Sequence, residues 1–455
     1  MEQRLPLLFL LAGDLVLSLA AVSAAFGMSG EAAFGDEGDA LDYGVRVALF
    51  AAVMIVSSFF VELYSMERAS GRKEAFVRVL TALVISFFVL SAGYYLIPSV
   101  TLGRGVLLFS LLVFGALQFL WRIGYRQLLS ISGFARRVLI LGTGPLANQI
   151  GSVLSATNQH YILTGYVTCP SEPVFVPAHT IVGNDSGLAE AAKLQRAHKI
   201  VISLSERRGV FPYKDVLSCK FSGIEVVDAP SFYEQVTGKL LIENILPSWF
   251  IFSSGFRITF FKKAVKRVFD IAFSVAGLAA AAPLFPLIAA IIKIDSPGPV
   301  FFRQTRVGRG ERDFVLYKFR TMRSDAEQRT GAVWAQKDDP RVTKAGRILR
   351  KSRLDELPQL YNVLKGDMAF VGPRPERPEF VEKLKRVIPY YSERHSIKPG
   401  VTGWAQIKYP YGASVEDAIE KLRYDLFYIK HLSLFLDLLI ILETIKVVLF
   451  GRGGR

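Results

Sequence analysis

Cysteine is nearly absent: Cys169 and Cys219 are the whole complement in 455 residues, and no CxxC spacing occurs. Two such thiols build no disulfide framework, and five scattered histidines do not complete a zinc site. Charge is also scarce, at 21% of residues, and acid is scarcer than base: 40 Asp and Glu against 55 Lys and Arg leave a net charge of +15. The 51% of residues that are hydrophobic gather into runs, several near the roughly 20 residues a bilayer span needs. That clustering excludes a disordered chain and a simple soluble one. A basic balance beside such runs points to anionic lipid headgroups or phosphorylated substrates, not to nucleic acid.

Four apolar stretches open the chain, at 5–27, 47–64, 76–97 and 106–121. The connection after the first is acidic (Glu31, Asp36, Glu37, Asp39, Asp42). Arg68, Arg72 and Lys73 follow the second, and Arg122, Arg126, Arg136 and Arg137 follow the fourth. Lys and Arg mark the cytoplasmic side, so the pattern predicts a four-helix transmembrane bundle over 1–130 with both ends inside. The rival for the first run is a secretory signal cut near Ser23-Ala24-Ala25. Asp14, inside that run, is a functional candidate by its position, or a partner for polar groups within the bundle.

From 131 to 230 the pattern alternates. Short β-rich runs at 138–141, 162–167, 199–203 and 224–227 are separated by helix-like segments at 145–156, 187–197 and 213–219. This predicts an α/β, Rossmann-like domain with a mainly parallel sheet. Gly142, Gly144 and Ala147 form a GxGxxA loop at the first strand-to-helix turn, a candidate nucleotide loop. The acid that should hold a ribose after the second strand is missing from Tyr166-Val167-Thr168-Cys169-Pro170, so the glycines can equally serve only the turn. Residues 231–260, with Pro230 just before and Pro247 and Ser253-Ser254-Gly255 within, read as a linker.

Lys262, Lys263, Lys266 and Arg267 precede another apolar run, and Lys293, Arg303 and Arg306 follow it. Basic flanks on both sides place both ends in the cytoplasm, which one straight span cannot satisfy. Ala282-Pro283 and Pro286 lie mid-run, where proline breaks a helix. The expectation is a re-entrant helix over 266–293, with a kinked fifth span as the alternative and Asp270 paired to the flanking cations.

The remainder carries the chemistry. Read as one helix, the segment around Asp355 has Leu349, Leu357, Leu360 and Leu364 on one side and Arg347, Lys351 and Asp355 on another. Asp355 and Glu356 are adjacent, and Lys318, Arg320, Arg350, Arg353 and Arg374 outnumber them. A carboxylate that attacks a phosphate meets another anion, so it needs cations and a divalent metal to offset the charge. Magnesium binds through one or two carboxylates plus substrate phosphates, which makes Asp355 and Glu356 its candidate ligands. Arg374, between two prolines, is a stiffly presented phosphate donor or else a structural arginine. The apolar run at 426–450 is interrupted by Lys430, His431, Asp437, Glu443 and Lys446, which suits a helix in the headgroup region. Trp404, Tyr409, Tyr411, Tyr424 and Tyr428 are candidates for the interface, for stacking on a base, or for the core, and His395 reads as structural.

These blocks resemble a family. Lys318-Phe319-Arg320-Thr321-Met322, Leu354-Asp355-Glu356-Leu357-Pro358-Gln359-Leu360, Lys365-Gly366-Asp367-Met368, Gly372-Pro373-Arg374-Pro375 and Gly400-Val401-Thr402-Gly403-Trp404-Ala405-Gln406 follow the order seen in the bacterial sugar transferases that are monotopic phosphoglycosyl transferases. The front half resembles their long-form members. The resemblance implies a mainly α-helical, cytoplasmic catalytic domain over 261–455 at the bacterial inner membrane. It implies transfer of a sugar-1-phosphate, glucose or galactose, from a UDP-sugar to undecaprenyl phosphate, with release of UMP. That step initiates exopolysaccharide, capsule or O-antigen synthesis. Asp355 would be the nucleophile, and Glu356 would share Mg2+ or help deprotonate the lipid phosphate. Arg374, assisted by Lys318 and Arg350, would bind the acceptor phosphate. Ala282 stands where some members carry serine before the helix-breaking proline, which removes a side-chain hydrogen bond at the break. A homodimer has ample surface. The alternative function is a nucleotide-binding scaffold or regulator of polysaccharide assembly with a dormant transferase domain.

Overall fold

The computed structural model describes residues 4–29, 39–61, 63–64, 72–130, 136–157, 161–170, 172–184, 187–204, 211–245, 247–253, 255–323, 326, 339–409, 412 and 414–449. Glu31, Asp36, Glu37, Arg68, Ser254 and Tyr411 lie outside them. The chain divides into two units, Met1–Thr237 and Gly238–Arg455.

Runs of Leu, Val, Ala and Phe, with no proline beyond Pro6 in the first turn, make four long helices in the first unit: α1 (Arg4–Ser29), α2 (Asp39–Phe60), α3 (Arg72–Leu96) and α4 (Arg104–Ser130). Each holds a stretch long and apolar enough to cross a membrane. Their polarity is inverted relative to a soluble bundle. Phe88, Leu112 and Leu120 are exposed, whereas Ser18, Ser58, Ser86, Ser110 and Gln118 are buried. That arrangement suits a lipid solvent, where apolar side chains cost nothing outside and polar ones need partners inside. Asp14 is the centre of this interior. Its carboxylate accepts hydrogen bonds from Tyr64, from Gln118 (3.0 Å) and from Arg122 (2.6 Å). The structure therefore places Asp14 as a clasp between α1 and α4 that also reaches the residues just after α2.

The rest of the unit alternates strand and helix: β1 (Arg136–Leu141), α5 (Pro145–Thr157), β2 (Tyr161–Thr168), β3 (Ile181–Asn184), α6 (Leu188–Leu194), β4 (Lys199–Ile202), α7 (Tyr213–Phe221), β5 (Glu225–Asp228) and α8 (Ala229–Thr237). The strands form one parallel sheet in the order β3-β2-β1-β4-β5. β1 and β4 are buried almost throughout, as central strands covered on both faces must be. β3 is an edge strand that the periodicity did not single out.

The second unit opens where a linker was expected, but the chain there is folded. Leu240, Ile242 and Ile245 join its core, and α9 (Pro247–Phe252) follows. Next come α10 (Phe260–Ala281) and α11 (Leu284–Asp295), bent by 61° at Ala282-Pro283. The antiparallel pair β6 (Phe301–Val307) and β7 (Asp313–Phe319) leads to α12 (Lys344–Lys351) and α13 (Gln359–Lys365). A short parallel pair, β8 (Ala369–Val371) with β9 (Gly400–Thr402), brackets α14 (Pro378–Val387). The chain closes with α15 (Trp404–Lys408), α16 (Val415–Lys430) and α17 (Leu434–Leu449).

Two expectations for this unit need correction. The segment around Asp355 is not one helix: α12 stops at Lys351, Arg353 takes a left-handed backbone (φ 56°), and Leu354–Glu356 form a single tight turn before Pro358 restarts the chain as α13. The polar interruptions in α17 do not all serve headgroups. Asp437 is fully buried, accepting hydrogen bonds from Lys266 Nζ (2.8 Å) and the Tyr428 hydroxyl (2.6 Å), and Lys446 is buried as well. Trp404 is also a core residue, stacked on Phe427 and donating Nε1–H to the Gly238 carbonyl.

Candidate active site

The turn between α12 and α13 lifts two adjacent carboxylates out of helical geometry and points them at β7 and the loop after β8. Asp355 and Glu356 are both 8% exposed. Their partners differ sharply. Glu356 Oε1 accepts hydrogen bonds from Lys318 Nζ (2.9 Å) and Arg374 Nη2 (2.7 Å). The Asp355 carboxylate has no hydrogen-bond partner among the described residues. Burial resists ionisation of Glu356, but Arg374 and Lys318 overcome it and hold this carboxyl far below the usual range. Burial pushes the Asp355 carboxyl up; Lys318, Arg374 and Arg350 pull against that, and the neighbouring Glu356 adds to it. Burial also lowers the Lys318 ammonium, with Glu356 opposing. One carboxylate is thus committed to the cations, and the other is left open and less stable as an anion.

The elements that set this geometry are tied together by side chains. Asn362 on α13 accepts from the Tyr317 amide (3.1 Å) and donates to the Val315 carbonyl (2.7 Å), which fastens β7 and its Lys318 to the helix after the carboxylates. Arg374 leaves β8 through Gly372-Pro373. Its side chain is 40% exposed, the most open of the cluster, and Nη1 donates to Gln406 Oε1 (3.2 Å). Arg394 pins the backbone beneath it, donating to the Arg374 carbonyl (3.0 Å) and to Asp425 (2.7 Å). Three glycines let these two motifs touch. A Cβ on Gly400 would lie 2.0 Å from the Gly372 nitrogen, and one on Gly403 would lie 2.1 Å from the Gly372 oxygen.

Among the predicted site residues, the structure gathers Asp355, Glu356, Lys318 and Arg374. Arg350 and Arg353 lie close enough to act on the carboxylates through their charge. Arg320 is elsewhere. It is buried, and its guanidinium donates to the carbonyls of Ser296 (2.7 Å) and Pro297 (2.8 Å). Its two Nη groups are engaged at the C-terminal end of α11, so it anchors the broken helix. His395 is buried with its imidazole pushed down to about 4, by burial first and Arg394 second, which keeps it neutral. Gln406, Asn362, Arg394 and Asp425 had no role in the sequence reading. A lone amide or a distant Arg–Asp pair carries no spacing signal.

The candidate nucleotide loop is engaged by the chain itself. Gly142 (φ 124°) makes the turn after β1, but the Thr143 amide donates to Glu172 Oε2 (3.2 Å), and the Phe175 amide donates to the Thr143 carbonyl (2.8 Å). A carboxylate of this chain thus occupies the Thr143 amide, one of the loop donors just before α5. No three-ligand cluster of His, Cys, Asp and Glu is found among the described residues.

Residues 261–451 match the model of the family described as "Bacterial sugar transferase". Over 237 residues, 52% of it, the chain is 44% identical to a UDP-N-acetylgalactosamine-undecaprenyl-phosphate N-acetylgalactosaminephosphotransferase of Aeromonas hydrophila, spanning 55% of that protein. It is 41% identical to an exopolysaccharide production protein of Rhizobium leguminosarum over 195 residues, 42% of this chain and 98% of that one. A UDP-glucose:undecaprenyl-phosphate glucose-1-phosphate transferase of Caulobacter vibrioides is 44% identical over 186 residues, 40% of this chain and 69% of the relative. The chain spans about half the length of the Aeromonas relative, whereas the Rhizobium protein is matched almost end to end. The chain belongs to the bacterial sugar transferase family.

Proposed function

We propose that this chain transfers a sugar-1-phosphate from a UDP-sugar to undecaprenyl phosphate through a covalent intermediate on Asp355. The observation that carries the reading is the division of labour in the carboxylate pair: Glu356 is held by Lys318 and Arg374, while Asp355 has no hydrogen-bond partner among the described residues. An Asp355 oxygen attacks the phosphorus that bears the sugar, the bond to the uridine-side phosphate oxygen breaks, and UMP leaves. A phosphate oxygen of the lipid then attacks the same phosphorus and breaks the acyl-phosphate bond. The product is the lipid diphosphate sugar, and Asp355 is regenerated. Lys318, Arg353 and Arg374 face the charge that develops on the transferring group, and Glu356 keeps the first and last of these in place.

Magnesium fits this site. Asp355 and Glu356 Oε2 carry no protein hydrogen bond among the described residues, so they would hold the ion together with the donor's phosphates. When bound, the ion would offset phosphate charge. The four apolar helices support a multi-pass protein of the bacterial inner membrane, and the basic flanks support a cytoplasmic catalytic face. The bend at Ala282-Pro283 supports a re-entrant reading of α10 and α11, and the parallel strand order supports a Rossmann-like reading of 131–230. Glu172 in the glycine loop argues against the nucleotide-scaffold alternative.

The test is UMP release by purified protein from UDP-glucose, UDP-galactose and UDP-N-acetylgalactosamine, with and without undecaprenyl phosphate and magnesium. Release with one donor, together with a phosphosugar adduct on Asp355 by mass spectrometry, is the expected result. Turnover that persists in Asp355→Asn would overturn the covalent route.

A further inference from the structure

In a sheet wound β3-β2-β1-β4-β5, every helix runs back against its strands. The C-terminal ends of α6 and α7 therefore lie along the edge where the strands begin. Backbone hydrogen bonds fix that edge: the His198 amide donates to the Arg137 carbonyl (2.9 Å), and the Glu225 amide donates to the His198 carbonyl (3.1 Å). The chain arrives there from the membrane. α4 ends at Ser130 and β1 begins at Arg136, a gap that the chain can stretch to only about 20 Å. It also departs near the same edge, because Gln235, in the last turn of α8, accepts a hydrogen bond from Lys199 at the start of β4 (3.2 Å).

The surface composition of this edge is unlike that of a water-facing one. Leu194, the last residue of α6, is 74% exposed, and Phe221, the last residue of α7, is 85% exposed, the largest value for any apolar side chain among the described residues of the α/β domain. Lys193, Arg196, His198, Lys220 and Arg136 are exposed around them. The acid at this edge, Glu225, is already paired with Arg136 (3.2 Å) and Lys199 (3.1 Å). The acids of α6 and α7, Glu190 and Asp215, belong to the first turns, at the other end of each helix. Two apolar tips ringed by cations match the boundary of an anionic leaflet, where the tips enter the acyl region and the cations meet headgroups.

We infer that this edge of the α/β domain docks on the cytoplasmic leaflet through Leu194 and Phe221, and that anionic lipid headgroups are its partner. The inference rests on the proposed placement of α4 as a span ending at the cytoplasmic face. Docking would hold the α/β domain flat against the membrane without any ligand in its glycine loop.

The experiment uses the full chain in nanodiscs of phosphatidylcholine with or without phosphatidylglycerol, with a fluorophore on Phe221→Cys, Leu194→Cys or Tyr213→Cys and nitroxide-bearing lipids as quencher. Tyr213 is the first residue of α7, about 12 Å from Phe221 along the helix. Labels at 221 and 194 should be quenched and the label at 213 spared. Each of Lys193→Gln, Arg196→Gln and Lys220→Gln should weaken the quenching in anionic discs, by about fivefold in partitioning per lost cation. Equal quenching at 213 and 221, no quenching at 221, or protection of 221 only when two copies share a disc would each overturn the inference. A Leu120→Cys label on α4 separates the failures: if it too escapes quenching, the span reading has fallen first.

Discussion

Arg374 Nη2 donates to Glu356 Oε1 at 2.7 Å, and the same oxygen accepts from Lys318, while Asp355, one residue earlier, keeps its carboxylate open. Two neighbouring acids thus have opposite electrostatic fates: the cations hold Glu356 well below its ordinary range, whereas burial pushes Asp355 up. The charge of the Arg374–Glu356 pair also explains why the guanidinium, though 40% exposed, is held above its ordinary range.

Asp355→Asn should abolish UMP release by about three orders of magnitude or more, because an amide oxygen cannot form the acyl-phosphate bond. The turn that carries it is held by backbone hydrogen bonds, including the Glu356 amide to the Arg353 carbonyl (3.1 Å), so the variant should melt as the parent does. Circular dichroism and single-turnover UMP release measure the two halves.

Glu356→Gln should cost about 1–3 kcal/mol, less than a fully buried pair because Arg374 is open to solvent that screens it. The sign with pH follows from the depressed carboxyl: its contribution is fully present above the unfolded value, near pH 4, and is lost as pH falls. Thermal melting at pH 7 should show a clear deficit against the parent, and one that narrows below pH 4. A deficit that widens in acid would contradict the assignment.

The donor half-reaction, read as kcat/KM, needs Asp355 ionised. Since burial raises that carboxyl above 3.8, the acid limb of the pH profile should lie above the ordinary aspartate position. Lys318→Met removes a cation and should move the limb up; Glu356→Gln removes an anion and should move it down. Movement in the reversed directions would show that another group controls the limb.

Arg394 and Asp425 are buried partners, and Arg394 also holds the Arg374 carbonyl. Arg394→Met leaves Asp425 an unpaired buried anion and should destabilise the unit by about 3–5 kcal/mol. The double variant Arg394→Met/Asp425→Leu should recover most of that stability but not turnover, with kcat/KM lower by about 100-fold, because Arg374 loses its backbone anchor. Full activity in a refolded double variant would reduce Arg394 to a structural role.

Gly400→Ala should destabilise by about 3 kcal/mol, since its Cβ would press on the Gly372 backbone at 2.0 Å and force β8 and β9 apart. Denaturant melts of the full chain in detergent would report it, and activity should fall with the displaced Arg374.

Much of this protein is legible in local pattern. Spans, strands and the proline break follow from runs, alternation and backbone chemistry, which a chain expresses within about 20 residues of itself. Hence α1–α4, the parallel sheet and the bend at Pro283 were expected, and so was the Asp355-Glu356 pair among cations. What the sequence did not determine depends on partners far along the chain. Arg320 sits in the same basic motif as Lys318, but β7 ends at Phe319, so Lys318 meets Glu356 from the strand while Arg320, just past it, turns to the carbonyls at the end of α11. Asp437 looked like a headgroup contact until Lys266 and Tyr428 came to it. Glu172 was a loop residue until it reached the Thr143 amide. Residue types and spacing determined which groups are available for chemistry; only the tertiary structure decided which charge neutralises which, because a buried charge takes its properties from whatever packing brings within a few ångströms.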